Sequence, residues 1–174
     1  MVDTLMFSPH TLIHNDLNNR NLCFETRPDA DSRRLCVYDW EMVSLGCPQH
    51  DVVDFLAFTL PEHTTVTTWL KYRDIYRDHF TAKCKNFESD CESGMTTKST
   101  IKESLQKSQF DLVFDMCVLE LLYLKLMMCC TTYRCVKLPY LQRVMQNVGR
   151  YARYIVQQQL LQTFELERHD FVRD

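Results

Sequence analysis

Residues 14–21, HNDLNNRN, place one histidine, one aspartate and four asparagines in eight positions directly after the short apolar run TLI. Asparagine favours turns because its amide hydrogen-bonds nearby backbone, so this stretch reads as a loop built by side-chain hydrogen bonds. Within it, Asp16 is followed by Asn21 five residues later. A carboxylate can accept the proton of an incoming hydroxyl, and a neutral amide oxygen suits a hard divalent cation such as magnesium. A second carboxylate, Asp39 in VYDWE, stands eighteen residues beyond Asn21, at the end of an apolar run. Aspartate at a strand end can point at an ion while the strand before it stays buried. One base and two oxygen ligands for a metal are the requirements of phosphoryl transfer to a hydroxyl, in which positioning and electrostatic stabilisation supply nearly all of the catalysis.

These residues need elements to hold them. HTLI leads into the asparagine loop, and NLCFE (21–25) and RLCVYDW (34–40) are two strand-like runs separated by the turn-rich TRPDADSR, which predicts a hairpin with a loose connection. GCPQHDVVDFLAFTL begins with turn residues and continues as an apolar helix, with Pro48 suited to its first turn. Beyond residue 60 the pattern is helical. Trp69, Tyr72, Tyr76 and Phe80 recur at spacings of three and four. Residues 84–104 are polar and predict an exposed loop, after which residues 110–130 form a strongly apolar segment. Asp111, Asp115, Glu120 and Lys125 interrupt that segment. Each such charge costs about 2.5 to 3.5 kcal/mol at a bilayer centre, so the segment reads as a buried core helix and not a membrane span. Pro139 opens a last helix with Leu141, Val144, Val148, Tyr151 and Ile155 on one side, and Arg143, Arg150 and Arg153 elsewhere. Trp40 and Phe55 are expected in the core. The expected architecture is α+β and mostly helical: one domain over 1–174, with a loop-rich head at 8–60 and a helical body at 61–174.

Bulk composition narrows the partners. The 174 residues are 45% hydrophobic and 25% charged, as in ordinary globular chains, and the net charge of −3 favours neither nucleic acid nor an anionic membrane. Nine cysteines without a C-x-x-C pair, and an N-terminus without the pattern of a signal peptide, predict reduced thiols and a cytoplasmic location. His79, Cys84 and Cys91, or Cys129, Cys130 and Cys135, lie near each other in sequence, but neither group offers the two close pairs that structural zinc takes.

The spacing His14, Asp16, Asn21 is that of the kinase catalytic loop, H-x-D-x-x-x-x-N. Taken together, LIHNDLNNRNLCF and VYDWEMVSLGCPQHDVVDFLAF resemble the aminoglycoside phosphotransferase and choline kinase group of protein-kinase-like small-molecule kinases. That group carries H-[GN]-D-x-x-x-x-N, then [IV]-D-[FW]-E, then G-x-P-x-x-D before a helix. The resemblance covers residues 8–60 well and the helical remainder loosely. It implies the catalytic lobe of such a kinase, with Asp16 as the catalytic base, His14 bracing the loop, and Asn21 and Asp39 holding Mg²⁺ for bound ATP. Glu41 is either a ligand of a second metal, directly or through water, or a plain solvated acid. Asp51 either buttresses the catalytic loop or serves as a first-turn carboxylate of its helix. The acceptor would be a hydroxyl on a small molecule, and Asp111 and Asp115 are either candidates to receive its cationic group or, by default, exposed helix charges.

The family also grips the nucleotide with a preceding lobe that supplies a covering loop and a strand lysine. Here the histidine is residue 14 and the first lysine is Lys71, so that lobe is expected to be absent from this chain. The expectations are therefore a truncated catalytic lobe or, alternatively, a non-catalytic binding or regulatory fragment. Weak ATP affinity follows, together with exposed apolar surface near Leu22, Phe24 and Trp40 that invites a missing lobe or self-association.

Overall fold

The computed structural model describes residues 10–26, 33–90, 106–123 and 139–171, with side chains left out at 26, 86–90, 139–140 and 160–171. Four short strands come first: β1 (Thr11–Ile13), β2 (Leu22–Thr26), β3 (Arg33–Val37) and β4 (Ser44–Gly46). A 3-10 turn at Trp40–Met42 separates β3 from β4. Four helices follow: α1 (Gln49–Thr59), α2 (Val66–Asp90), α3 (Lys107–Glu120) and α4 (Pro139–Phe171). The described residues thus form an α+β, mostly helical fold.

The hairpin expected from NLCFE and RLCVYDW is present as the antiparallel pair β2–β3, with Leu22 opposite Val37 and Cys23 opposite Cys36. The connecting residues 27–32 lie outside the described residues. The pairing of β1 with β4, Thr11 opposite Gly46 and Ile13 opposite Ser44, was not expected. Its reason lies at Gly46, where a Cβ would stand 2.5 Å from Cδ1 of the buried Ile13. The missing side chain lets β4 approach β1, and that approach delivers the start of α1 to the loop after β1.

Packing is concentrated among the helices, where α1 lies against α3 and α4, and α2 touches both of the latter. Val53, Leu56 and Ala57 of α1, Trp69 of α2, Val113, Phe114 and Val118 of α3, and Val144, Val148, Tyr151 and Ile155 of α4 make one continuous core. The apolar positions expected on one side of the last helix are all in it. Trp69 and Tyr151 rings pack with centroids 5.3 Å apart. Asn147, fully buried in the same helix, donates to the carbonyls of Leu60 and Pro61 at 3.0 and 2.9 Å and ties α4 to the end of α1.

Three expectations need correction. Trp40 is 48% exposed and not core, because the turn at residues 40–42 carries it over the head's surface. Tyr72 is exposed too, so the apolar face of α2 reduces to Trp69, Tyr76 and Phe80. Residues 84–90 are the last turns of α2 and not a loop, since nothing before Asp90 breaks a helix. The helix expected at 110–130 is present as a buried helix through Glu120 with a π turn over 121–123, and its remainder lies outside the described residues. No helix among the described residues is long and apolar enough to cross a membrane.

Candidate functional site

The asparagine loop closes on itself through the two oxygens of Asp16. Asn18 Nδ2 donates to Asp16 Oδ1 at 3.0 Å, and Asn21 Nδ2 donates to Oδ2 at 3.0 Å and to the Asp16 carbonyl at 2.9 Å. Asn18 Oδ1 in turn accepts the Arg20 backbone N–H at 2.9 Å, an Asx turn. Asn18 and Asn21 thus hold an exposed aspartate in one orientation without a regular element. Because the amide nitrogen of Asn21 is committed to Asp16, its Oδ1 is the end available to a cation.

Two tethers fix this loop to the rest of the head. The carboxylate of Asp51, in the first turn of α1, accepts the backbone N–H groups of His14 at 2.7 Å and Asn15 at 2.9 Å. Asp51 is therefore both a first-turn carboxylate, favourable against the helix dipole, and the anchor of the asparagine loop. The buried His14 ring makes the second tether, its Nε2 lying 2.8 Å from the carbonyl of Tyr38. A carbonyl only accepts, so Nε2 carries the proton and Nδ1 is left as a bare acceptor. Trp40 closes over this ring with centroids 4.8 Å apart, and its indole N–H donates to the Val37 carbonyl at 3.1 Å. The exposed tryptophan covers the histidine.

The residue after each end of that second tether is left-handed: Asn15 has φ 62° and Asp39 has φ 65°. Asparagine and aspartate tolerate this region better than other residues with a Cβ, and such positions cluster where a backbone must turn to serve a site. Asp39 thus leaves β3 by a sharp turn directly beside the point where the two loops are joined. Its side chain is exposed and caps nothing in the following turn. Tyr38 extends the hairpin ladder by donating its N–H to the Asn21 carbonyl at 3.1 Å, and its hydroxyl donates to the carbonyl of Arg20. The loop carrying Asp16 and Asn21 and the strand end carrying Asp39 are one hydrogen-bonded unit.

Glu41 lies exposed in the 3-10 turn. Among the described residues no three His, Cys, Asp or Glu side chains come together as a metal site. The donor set at hand is Asn21 and Asp39, hard oxygens that fit magnesium completed by water and phosphate. His79 and Cys84 also form no such cluster, while Cys91, Cys129, Cys130 and Cys135 lie outside the described residues.

Asp111 and Asp115 do not match the exposed, receptive acids expected of them. Both are largely covered and face α2, where Arg77 donates to Asp111 at 2.6 Å and Arg73 lies 3.2 Å from its other oxygen. Asp115 accepts the Tyr151 hydroxyl at 2.8 Å. Burial pushes the Asp115 carboxyl up from its ordinary range, opposed by Tyr151 and Arg73, and burial together with Asp115 raises the Tyr151 phenol. Sequence reasoning missed this cluster because Arg73 and Arg77 are far from the acids along the chain.

The loop carrying Asp16 and Asn21 is hydrogen-bonded to an aspartate-bearing strand end, the arrangement that the sequence resemblance implies. The comparison with protein families agrees: the family model described as APH, phosphotransferase enzyme family, matches residues 3–80. The segment that carries the motifs is thus similar to that phosphotransferase family, and the match spans the head and the first part of α2. No curated protein and no solved structure matches the chain.

Proposed function

We propose that this chain is the catalytic lobe of a small-molecule kinase, transferring the γ-phosphoryl group of ATP to a hydroxyl. The observation that carries the proposal is the junction of loop and strand end: His14 Nε2 holds the Tyr38 carbonyl, and Asp51 holds the backbone of His14 and Asn15. Asp16, Asn21 and Asp39 then stand on one braced unit. Asp16 is the base: its carboxylate, oriented by Asn18 and Asn21, accepts the proton of the acceptor hydroxyl as that oxygen attacks phosphorus. Asn21 and Asp39 would hold Mg²⁺, which when bound neutralises charge on the phosphates. Glu41 would act through water. The nine cysteines without a C-x-x-C pair support a reducing, cytoplasmic setting.

A partner is favoured by a specific observation. Leu12 and Leu45, paired across β1–β4, and Phe24 and Leu35, paired across β2–β3, are all exposed, as are Met42 and Val43. An apolar surface of this kind on the head suits cover by a nucleotide-gripping lobe, and without that cover the chain would self-associate and serve as a non-catalytic binding module.

The test is phosphoryl transfer in a form that includes a nucleotide-gripping lobe. Asp16→Asn keeps the shape and removes the proton acceptor, so turnover should fall by about 10² to 10⁴ with Mg-nucleotide affinity nearly intact. Asp39→Asn should weaken Mg-nucleotide binding as well. Equal turnover in wild type and Asp16→Asn would remove Asp16 from the role of base.

A further inference from the structure

The hairpin that joins Asn21 to Asp39 carries a pair of thiols that the proposed reaction does not use. Cys23 on β2 and Cys36 on β3 are directly opposite in the antiparallel register. Opposite residues share a face, and the Asn21–Tyr38 pair, two positions along, is of the hydrogen-bonded kind because Tyr38 N–H donates to the Asn21 carbonyl. Alternation makes Cys23–Cys36 hydrogen-bonded as well, with Cα atoms about 5.5 Å apart, inside the roughly 4.4 to 6.8 Å that a disulfide spans. Both cysteines are free, Cys23 is exposed, and the Cys36 thiol donates to Glu25 Oε2 at 3.9 Å. Cys47 and Cys117, by contrast, are buried. Among the described residues Cys23 and Cys36 are the two cysteines that strand register sets face to face.

We propose that Cys23 and Cys36 are an oxidisable pair that closes into a cross-strand disulfide on exposure to a low-molecular-weight disulfide such as oxidised glutathione. The exposed Cys23 thiolate attacks one glutathione sulfur, breaking that S–S bond and expelling one glutathione thiolate. The Cys36 thiolate then attacks Cys23 Sγ, forming the protein disulfide and expelling the second glutathione thiolate. The two protons lost by the cysteines are taken up by the two glutathione thiolates, so the protein is oxidised by two electrons and glutathione disulfide is reduced. The bridge stiffens the hairpin two residues from Asn21 and three from Asp39. That consequence for the metal ligands rests on the phosphotransferase reading; the bridge itself does not.

The experiment treats the 174-residue protein with oxidised glutathione, blocks remaining thiols with N-ethylmaleimide and maps peptides by mass spectrometry. Trypsin cuts after Arg33 and Arg34, so Cys23 and Cys36 fall on separate peptides that only a bridge joins. The expected result is that joined pair, two hydrogens lighter than the sum, with fragmentation placing the link at Cys36 and not at Cys47, which shares its peptide. Backbone amides of β2 and β3 should then exchange at least tenfold more slowly than in the reduced protein. Cys36→Ser should trap glutathione on Cys23, and Cys23→Ser should leave Cys36 unmodified. A wild-type protein that keeps glutathione on Cys23, remains fully reduced, or bridges Cys23 to another cysteine would overturn the proposal.

Discussion

The head and the body of this molecule are stabilised in different ways. In the body, three helices together with α1 bury aliphatic and aromatic side chains in one core, and its charges are paired face to face across α2 and α3. In the head, strands of three to five residues bury little, and large apolar side chains such as Leu45 and Phe24 remain 72% and 67% exposed. There the shape is held by hydrogen bonds from Asp16, Asn18, Asn21 and Asp51 to backbone and to one another. Side-chain hydrogen bonds set direction accurately but contribute only about 0.5 to 1.5 kcal/mol each in net terms, or roughly 1.5 to 3 when charged. Precision at the site therefore depends on a few named residues, while stability resides in the helices.

That contrast can be broken from the body first. Phe114 is fully buried, touches the Tyr151 ring with centroids 6.2 Å apart and lies at the centre of the core. Phe114→Ala should cost about 3 to 5 kcal/mol of unfolding free energy, read by urea denaturation followed by circular dichroism. In the head, Asp51→Ala leaves two backbone N–H groups without their charged acceptor and should cost about 2 kcal/mol. Its signature is local: the His14 and Asn15 amides should lose exchange protection while the helical signal is retained. A global loss of helix on Asp51→Ala would mean that the two regions are not separable.

The smallest effect concerns charge in the body. Burial raises the folded-state pKa of Asp115 above its ordinary 3.8, so the folded protein binds that proton more tightly than the unfolded chain. The corresponding stabilisation is full below the unfolded value and is lost as pH rises through the raised folded one. Asp115→Asn keeps an acceptor for the Tyr151 hydroxyl and removes the titration. Relative to wild type, the variant should gain stability between pH 4 and pH 7 by about 1 kcal/mol or less, measured as the difference in urea midpoints at the two pH values.

Much of the head was legible in the sequence because its motifs are local. H-N-D-x-x-x-x-N folds within eight residues through Asx-type bonds. The glycine and aspartate of G-C-P-Q-H-D act separately, since Gly46 admits Ile13 and Asp51 takes the loop's N–H groups. The helix of the last apolar face was legible from its period alone. What escaped was non-local or short. β4 is three residues with Leu45 facing outward, too brief for alternation to register. Trp40 has the composition of a core residue, and only the left-handed turn at Asp39 sends it over His14. The ion pairs of Asp111 depend on how α2 and α3 pack, which no spacing within either helix reveals.

The central claim is that Asn21 and Asp39 form one metal-binding half-site beside Asp16. Titrating the isotopically labelled protein with Mn²⁺, a paramagnetic substitute for Mg²⁺, tests it without requiring turnover or a nucleotide. Two protein oxygens completed by water make a poor cage, so binding should be in the millimolar range. Amide signals of Asp16, Asn21 and Asp39 should broaden first, and Asp39→Asn should abolish that broadening while the His14 and Asn15 amides keep their exchange protection. Broadening centred instead on residues 84–104, or unchanged by Asp39→Asn, would contradict the half-site.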